Sequence, residues 1–260
     1  MSHILFVNVA ERGHVYPTLT VVEELVRRGH RVSYTGTPEV SDQLVSAGAD
    51  VVPYRSAIAE ADPAEVFARD DDGAAAHLMY LEENTAILRA AGEAFPDEHP
   101  DLLVYGDFPV IAGQALASRW NLPAVRSSAA FASDEIYSFS RDLVESAGFA
   151  DPLTMPRFRA HLADLLAREG MEATVEECWN HVEEANLVFV PRSFQIQGPR
   201  FDDRFAFVGP CLGDRGFLGD WRPPAGDLRS CWCPWARPSA TGRSSSVRAR
   251  GPSPTLRGTS

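Results

Sequence analysis

Among the residues able to move a proton near neutral pH, His14 and Asp107 stand out by where they fall. His14 lies in "NVAERGHVYPTLTVVEELVRRGH" (Asn8 to His30), just after the apolar run "HILFVNV" (3–9). Asp107 closes a second such run, "DLLVYGD" (101–107). An imidazole has a reference pKa of ~6.5, so at neutral pH it is largely unprotonated yet still basic. It can therefore take a proton from an alcohol, which is a poor nucleophile by itself. A neighbouring carboxylate would fix the imidazole tautomer and stabilise the imidazolium.

The residues alone leave two other readings of this loop open. One is a histidine hydrogen-bonded in a turn, with no chemical task. The other is a nucleotide loop, but "VAERGHVYP" has no second glycine for close approach to a pyrophosphate, and no P-loop G-K-[ST] occurs anywhere.

Both residues need a scaffold, and the chain offers alternating strand and helix patterns. Strands are expected at 3–9, 31–36, 50–54, 101–107, 123–128, 186–190 and 205–209. Pro17 suits the first position of a helix that places Leu19, Val22, Leu25 and Val26 on one face before Gly29 ends it. "PEVSDQLVSAG" reads as a second helix closed by Gly48. Further helices are expected at about 75–95, 110–120, 156–169 and 174–184, with an irregular acidic excursion at 55–73. This alternation implies an α/β fold, a Rossmann-like parallel sheet with right-handed crossovers and helices on both faces. Ligands of such sheets sit beyond the carboxyl ends of the strands. His14 and Asp107 would both face that crevice.

Composition narrows the partners. The 260 residues carry a net charge of -12, and lysine is absent. A general nucleic-acid or anionic-membrane binder would need a basic face. From Arg229 onward there are six arginines and no carboxylate, so the acidic excess lies wholly before that point. Cys178 and Cys211 are isolated and read as free thiols, and the Cys231-x-Cys233 pair lacks the second ligand pair of a zinc site. The opening "MSHILFVNVAERGH" is too short an apolar run for a signal peptide, and no run reaches the ~20 apolar residues of a membrane helix. A cytoplasmic protein without a membrane span is expected.

Three stretches, in order, resemble one family. "RGHVYPTLTVVEELVRRGHRVSY" (12–34) is similar to the opening of bacterial UDP-dependent glycosyltransferases of the macrolide-glycosylating type, whose first loop reads G-H-V-N-P before a helix ending R-G-H-x-V-x-Y. "DLLVYGDFPVIAGQALASRWNLPAVRSSAAFA" (101–132) resembles their strand-Asp-helix unit, and "FVGPCLGDR" (207–215) with "WRPPAG" (221–226) their hinge into a second domain. The resemblance implies a GT-B enzyme with two facing Rossmann-like domains. Residues 1–227 would be the N-terminal, acceptor-binding one, while the second domain binds the nucleotide sugar.

It further implies an inverting hexose transfer from a UDP-sugar, which is a co-substrate, to a hydroxyl of a hydrophobic natural product such as a macrolide. No cofactor or metal is implied. His14 would be the general base and Asp107 its partner. Tyr16 replaces the family's Asn, Arg12 replaces a second His often found before the glycine, and Phe108-Pro109 replaces a Thr/Ser-rich turn. Acceptor contacts are expected from Tyr16, His77, Met79, Tyr80, Ser128 and Phe131. The alternative function is a non-catalytic Rossmann-like module that binds the acceptor or a partner chain.

After the hinge the family continues L-V-S-L-G, whereas this chain reads "CWCPWA" (231–236). Tryptophan has the single codon TGG, and cysteine only TGT or TGC. Shifting the frame back one base forces Leu-Val and, three codons on, Gly. Residues 228–260 are therefore read as out-of-frame translation. They lack apolar periodicity and are rich in Ser, Arg, Pro and Gly, so they cannot bury enough surface to offset their ordering entropy. On this reading the donor-binding domain is missing, and the chain is expected to be inactive alone.

Overall fold

The computed structural model describes residues 1–62, 74–146 and 150–219. Residues Met1–Phe217 make one compact unit. The inferred hinge at 221–226 and the tail at 228–260 lie outside the described residues.

Seven strands form one sheet: β1 His3–Val7, β2 Arg31–Gly36, β3 Asp50–Pro53, β4 Leu102–Gly106, β5 Ala124–Ser128, β6 Asn186–Val188 and β7 Phe205–Phe207. Their order is β3-β2-β1-β4-β5-β6-β7. Every neighbouring pair is parallel. The helices are α1 Arg12–Arg27, α2 Pro38–Ser46, α3 Ala57–Glu60, α4 Ala74–Ala94, α5 Val110–Trp120, α6 Phe139–Ser146, α7 Pro156–Arg168 and α8 Val175–Trp179.

β1 and β4 are apolar on both sides because both faces of the sheet are covered. Along β1, Leu5 and Val7 enter one cluster with Leu103 and Tyr105 of β4, under α4, α5 and α7. Ile4 and Phe6 point the other way, joining Val32, Tyr34 and Val104 under α1 and α2. Each cluster fills one side of the sheet. Gly29 and Gly48, at φ +86° and +90°, take the left-handed conformation that ends α1 and α2.

Three expected boundaries move. α1 begins at Arg12, so Pro17 lies inside the helix rather than at its first position. The amides of His14 and Val15 both bond to the Glu11 carbonyl, closing a first turn ahead of the proline. Pro17 then costs one bond, the one it cannot donate to Gly13. The helix expected at 174–184 is only Val175–Trp179, begun by a capping box between Thr174 and Glu177 and ended at Asn180. The segment 55–73 contains the helical turn α3, capped by Ser56, and its remainder from residue 63 lies outside the described residues.

Candidate active site

The strand order reverses at β1, which has β2 on one side and β4 on the other. Loops leaving two adjacent strands in opposite directions open a crevice at their carboxyl ends. His14 sits in the first turn of α1, after β1, and Asp107 directly follows β4. They line one cavity of about 210 Å³.

The cavity wall is largely aromatic. Phe108 packs edge-on against the His14 ring at 4.4 Å between centroids, and Tyr80 lies against Phe108 at 4.7 Å. Phe131 meets Phe139 of α6 at 5.3 Å, and Trp179 closes the far side against Phe158. Each cation on the wall faces a carboxylate: Arg126 pairs with Asp107 at 3.0 Å and Arg141 with Asp151 at 3.6 Å. Such a lining suits a hydrophobic ligand carrying few charges.

His14 is held through its backbone. The Asn8 side-chain amide donates to the His14 carbonyl at 3.0 Å and to the Tyr34 hydroxyl at 3.2 Å. Tyr34 is fully buried and shares a 2.8 Å hydrogen bond with Thr18 one turn further along α1. Burial holds the imidazole below its ordinary pKa, opposed by the carboxylates of Asp107 and Glu11. The ring is thus biased toward the neutral form a base requires.

Asp107 is anchored on one oxygen. Arg126 Nε and Ser128 Oγ both donate to its Oδ1, at 3.0 and 2.9 Å. Its Oδ2 accepts no hydrogen bond among the described residues. No hydrogen bond or ion pair joins Asp107 to the His14 ring, so their closer pairing requires side-chain adjustment.

Of the expected acceptor residues, His77, Tyr80 and Phe131 line the cavity. Tyr16, Met79 and Ser128 do not. Tyr16 packs at 5.1 Å against Phe217 and into the cluster on the opposite sheet face. Met79 is half-buried on α4, and the buried Ser128 uses its hydroxyl on Asp107. Sequence reasoning missed Phe108, Arg126, Phe139 and Trp179 as wall residues. A signal existed for Arg126, a lone charge inside the strand "AVRSS".

Among the described residues no group of three or more His, Cys, Asp or Glu converges as a metal site would, and no helix is long and apolar enough to cross a membrane.

No family model matches the chain. Individual proteins do. A crystal structure of the calicheamicin glycosyltransferase CalG4 is 46% identical with a TM-score of 0.79, over 87% of this chain and 56% of that one. The NDP-glycosyltransferase YjiC of Bacillus subtilis is 36% identical over 217 residues, 82% of this chain and 52% of the relative. The oleandomycin glycosyltransferase of Streptomyces antibioticus is 32% identical over 86% of this chain and 52% of its own length. The chain thus spans about half the length of the curated relatives it matches, a share that fits their N-terminal half. By sequence and by fold, the chain belongs to the bacterial GT-B glycosyltransferases.

Proposed function

We propose that this protein is the acceptor-binding part of an inverting glycosyltransferase that moves a hexose from a UDP-sugar to a hydroxyl of a hydrophobic natural product. The observation that carries this reading is the cavity at the β1/β4 reversal, where His14 and Asp107 meet an aromatic wall. The relatives named above support the reaction class.

In this reading the acceptor seats its ring system against Phe108, Phe131 and Trp179 and presents a hydroxyl to His14. The neutral imidazole takes the hydroxyl proton as the oxygen attacks the anomeric carbon, and UDP departs from the opposite face. One displacement inverts the anomeric centre. The imidazolium then formed is stabilised by Asp107, whose Oδ2 is available for it.

Binding can be tested on the 260 residues alone. A macrolide panel should quench tryptophan fluorescence, and Trp179→Phe should remove most of that signal. Phe131→Ala removes an aromatic side chain worth ~1.5–3 kcal/mol of burial, so affinity should drop roughly tenfold or more. Unchanged affinity would place the acceptor elsewhere.

A pH profile tests the base. Only the neutral imidazole accepts a proton, so the acid limb of kcat/KM in a two-domain form should fall below pH 6.5, because burial holds His14 down. The Asp107 charge raises the His14 pKa. Asp107→Asn should therefore move that limb to still lower pH while reducing the maximal rate. A limb that stays put would remove Asp107 from the role.

A second reading, an acceptor-binding module without catalysis, draws on the missing hydrogen bond between His14 and Asp107. It predicts the same macrolide binding and no dependence of transfer on His14.

A further inference from the structure

We infer that Glu83 and Asn84, adjacent in the middle of α4, are positioning residues that fix the separation of the His14 loop and the Asp107 loop. The inference rests on the reading above that these two residues work as a pair.

Glu83 is fully buried and Asn84 nearly so. The Glu83 carboxylate accepts hydrogen bonds from the Tyr54 hydroxyl at 2.7 Å, from Ser56 Oγ at 2.9 and 3.0 Å, and from the Ile58 amide at 3.2 Å. The Tyr54 hydroxyl, which spends its proton on Glu83, accepts in turn from the Ala10 amide at 2.9 Å. Ala10 stands four residues before His14, in the loop leaving β1.

Asn84 reaches the other loop. Its Oδ1 accepts from the Ala112 amide at 2.9 Å, and its Nδ2 donates to the Phe108 carbonyl at 3.3 Å and the Tyr80 carbonyl at 2.8 Å. Phe108 directly follows Asp107. One backbone group of each candidate-site segment, the Ala10 amide through the Tyr54 hydroxyl and the Phe108 carbonyl directly, is therefore held by neighbouring side chains of a single helix.

The energetics point the same way. Among the described residues no cation bonds to Glu83, and its donors are a phenol, an alcohol and an amide. Burying a carboxylate this way costs free energy that an aliphatic side chain would not. What the carboxylate provides instead is a fixed hydrogen-bond geometry: Oε1 holds Tyr54, Oε2 holds Ser56 and the Ile58 amide, and Tyr54 in turn holds Ala10. The same helix carries His77 and Tyr80 on the cavity wall, so wall and loops share one rigid frame.

The test is the imidazole titration of His14, followed by NMR on the 260-residue chain and assigned with His14→Gln. Asp107 and Glu11 are the charges that act on this ring. In the parent chain, Asp107→Asn should lower the His14 pKa. The same change should lower it by less than half as much in a Tyr54→Phe background, which removes one oxygen and frees Ala10, and likewise in Asn84→Leu. Thermal melts establish that each variant is folded, and Tyr54→Phe keeps the test decisive if Asn84→Leu does not fold. A decline equal in all three backgrounds would overturn the inference, as would none in the parent. A variant that was merely less stable would leave the decline intact. The titration requires neither donor nor acceptor, so a failed transfer assay overturns the proposed reaction and leaves this result standing.

Discussion

The 260 residues, expressed alone, are expected to release no UDP from a UDP-hexose in the presence of a macrolide panel. A form carrying the frame inferred downstream of residue 229 should turn over. The described residues supply, in the proposed scheme, the acceptor cavity and the base, while the relatives are about twice as long as the matched region. In the proposed scheme the uracil, ribose and diphosphate contacts come from the second half. Without them nothing holds the anomeric carbon near His14, and the reaction forfeits a proximity advantage worth up to ~7–11 kcal/mol. The base by itself contributes only ~10²–10⁴-fold, and His14→Ala should cost about that much in the longer form. Turnover by the 260-residue form, abolished by His14→Ala, would mean that the donor site lies within it. Resequencing codons 220–235 supplies the matching genetic test, and an unreadable downstream frame would remove the frameshift account.

Gly113→Val should be the most destabilising single change near the site that removes no functional group. Gly113 lies in α5 against the ring of Tyr105 on β4. A Cβ there would stand 2.2 Å from Tyr105 Cγ and 2.7 Å from its Cβ, closer than real side chains approach. Tyr105 is fully buried, and its hydroxyl donates to Glu183 at 2.7 Å, so the ring cannot swing away without breaking that bond. The helix preference for a non-glycine residue is worth at most ~1 kcal/mol in the opposite direction. Overpacking of this kind costs typically ~1–3 kcal/mol and occasionally more. We expect the upper end, about 3 kcal/mol, which for a unit of this size is a fall in Tm of roughly 6–12 °C. Calorimetry decides it: an unchanged Tm would show that α5 can shift off β4 without loss.

The strands were legible because a parallel sheet covered on both faces needs apolar runs of strand length, and "HILFV" and "LLVYG" are such runs. That His14 and Asp107 share one cavity was legible because ligand crevices in this architecture lie at the carboxyl ends of the strands. The start of α1 was misplaced for a local reason. Proline is usually a helix opener, whereas here the Glu11 carbonyl closes a turn before it. Helix α6, "FSRDLVES", was missed because its eight residues fall short of the ~10–12 needed to tell a helical pattern from other structure. Glu83 and Asn84 stand in "LEENTAIL", which reads as a solvated helix face until the packing of α4 on α5 and α3 is known. Arg126 faces Asp107 only because β5 lies beside β4, a neighbourhood that pairing sets and local pattern does not.

The position of β1 inside the sheet, between β2 and β4, also sets a schedule for synthesis. Once the ribosome has passed Pro53, β1, β2 and β3 can pair, and α1 and α2 can cover the face bearing Ile4, Phe6 and Tyr34. The edge of β1 awaits β4 until residue 102, and the opposite face, with Leu5, Val7 and Val52, is not fully covered until the chain reaches Cys178. That is about 125 residues of elongation, or roughly 6–25 s at ~5–20 residues per second. Until β4 is made the nascent chain shows an incompletely covered apolar surface and the unpaired edge of β1 together, the combination that invites aggregation. The yield of folded protein will therefore depend on elongation rate and chaperone supply, independently of how stable the finished sheet is.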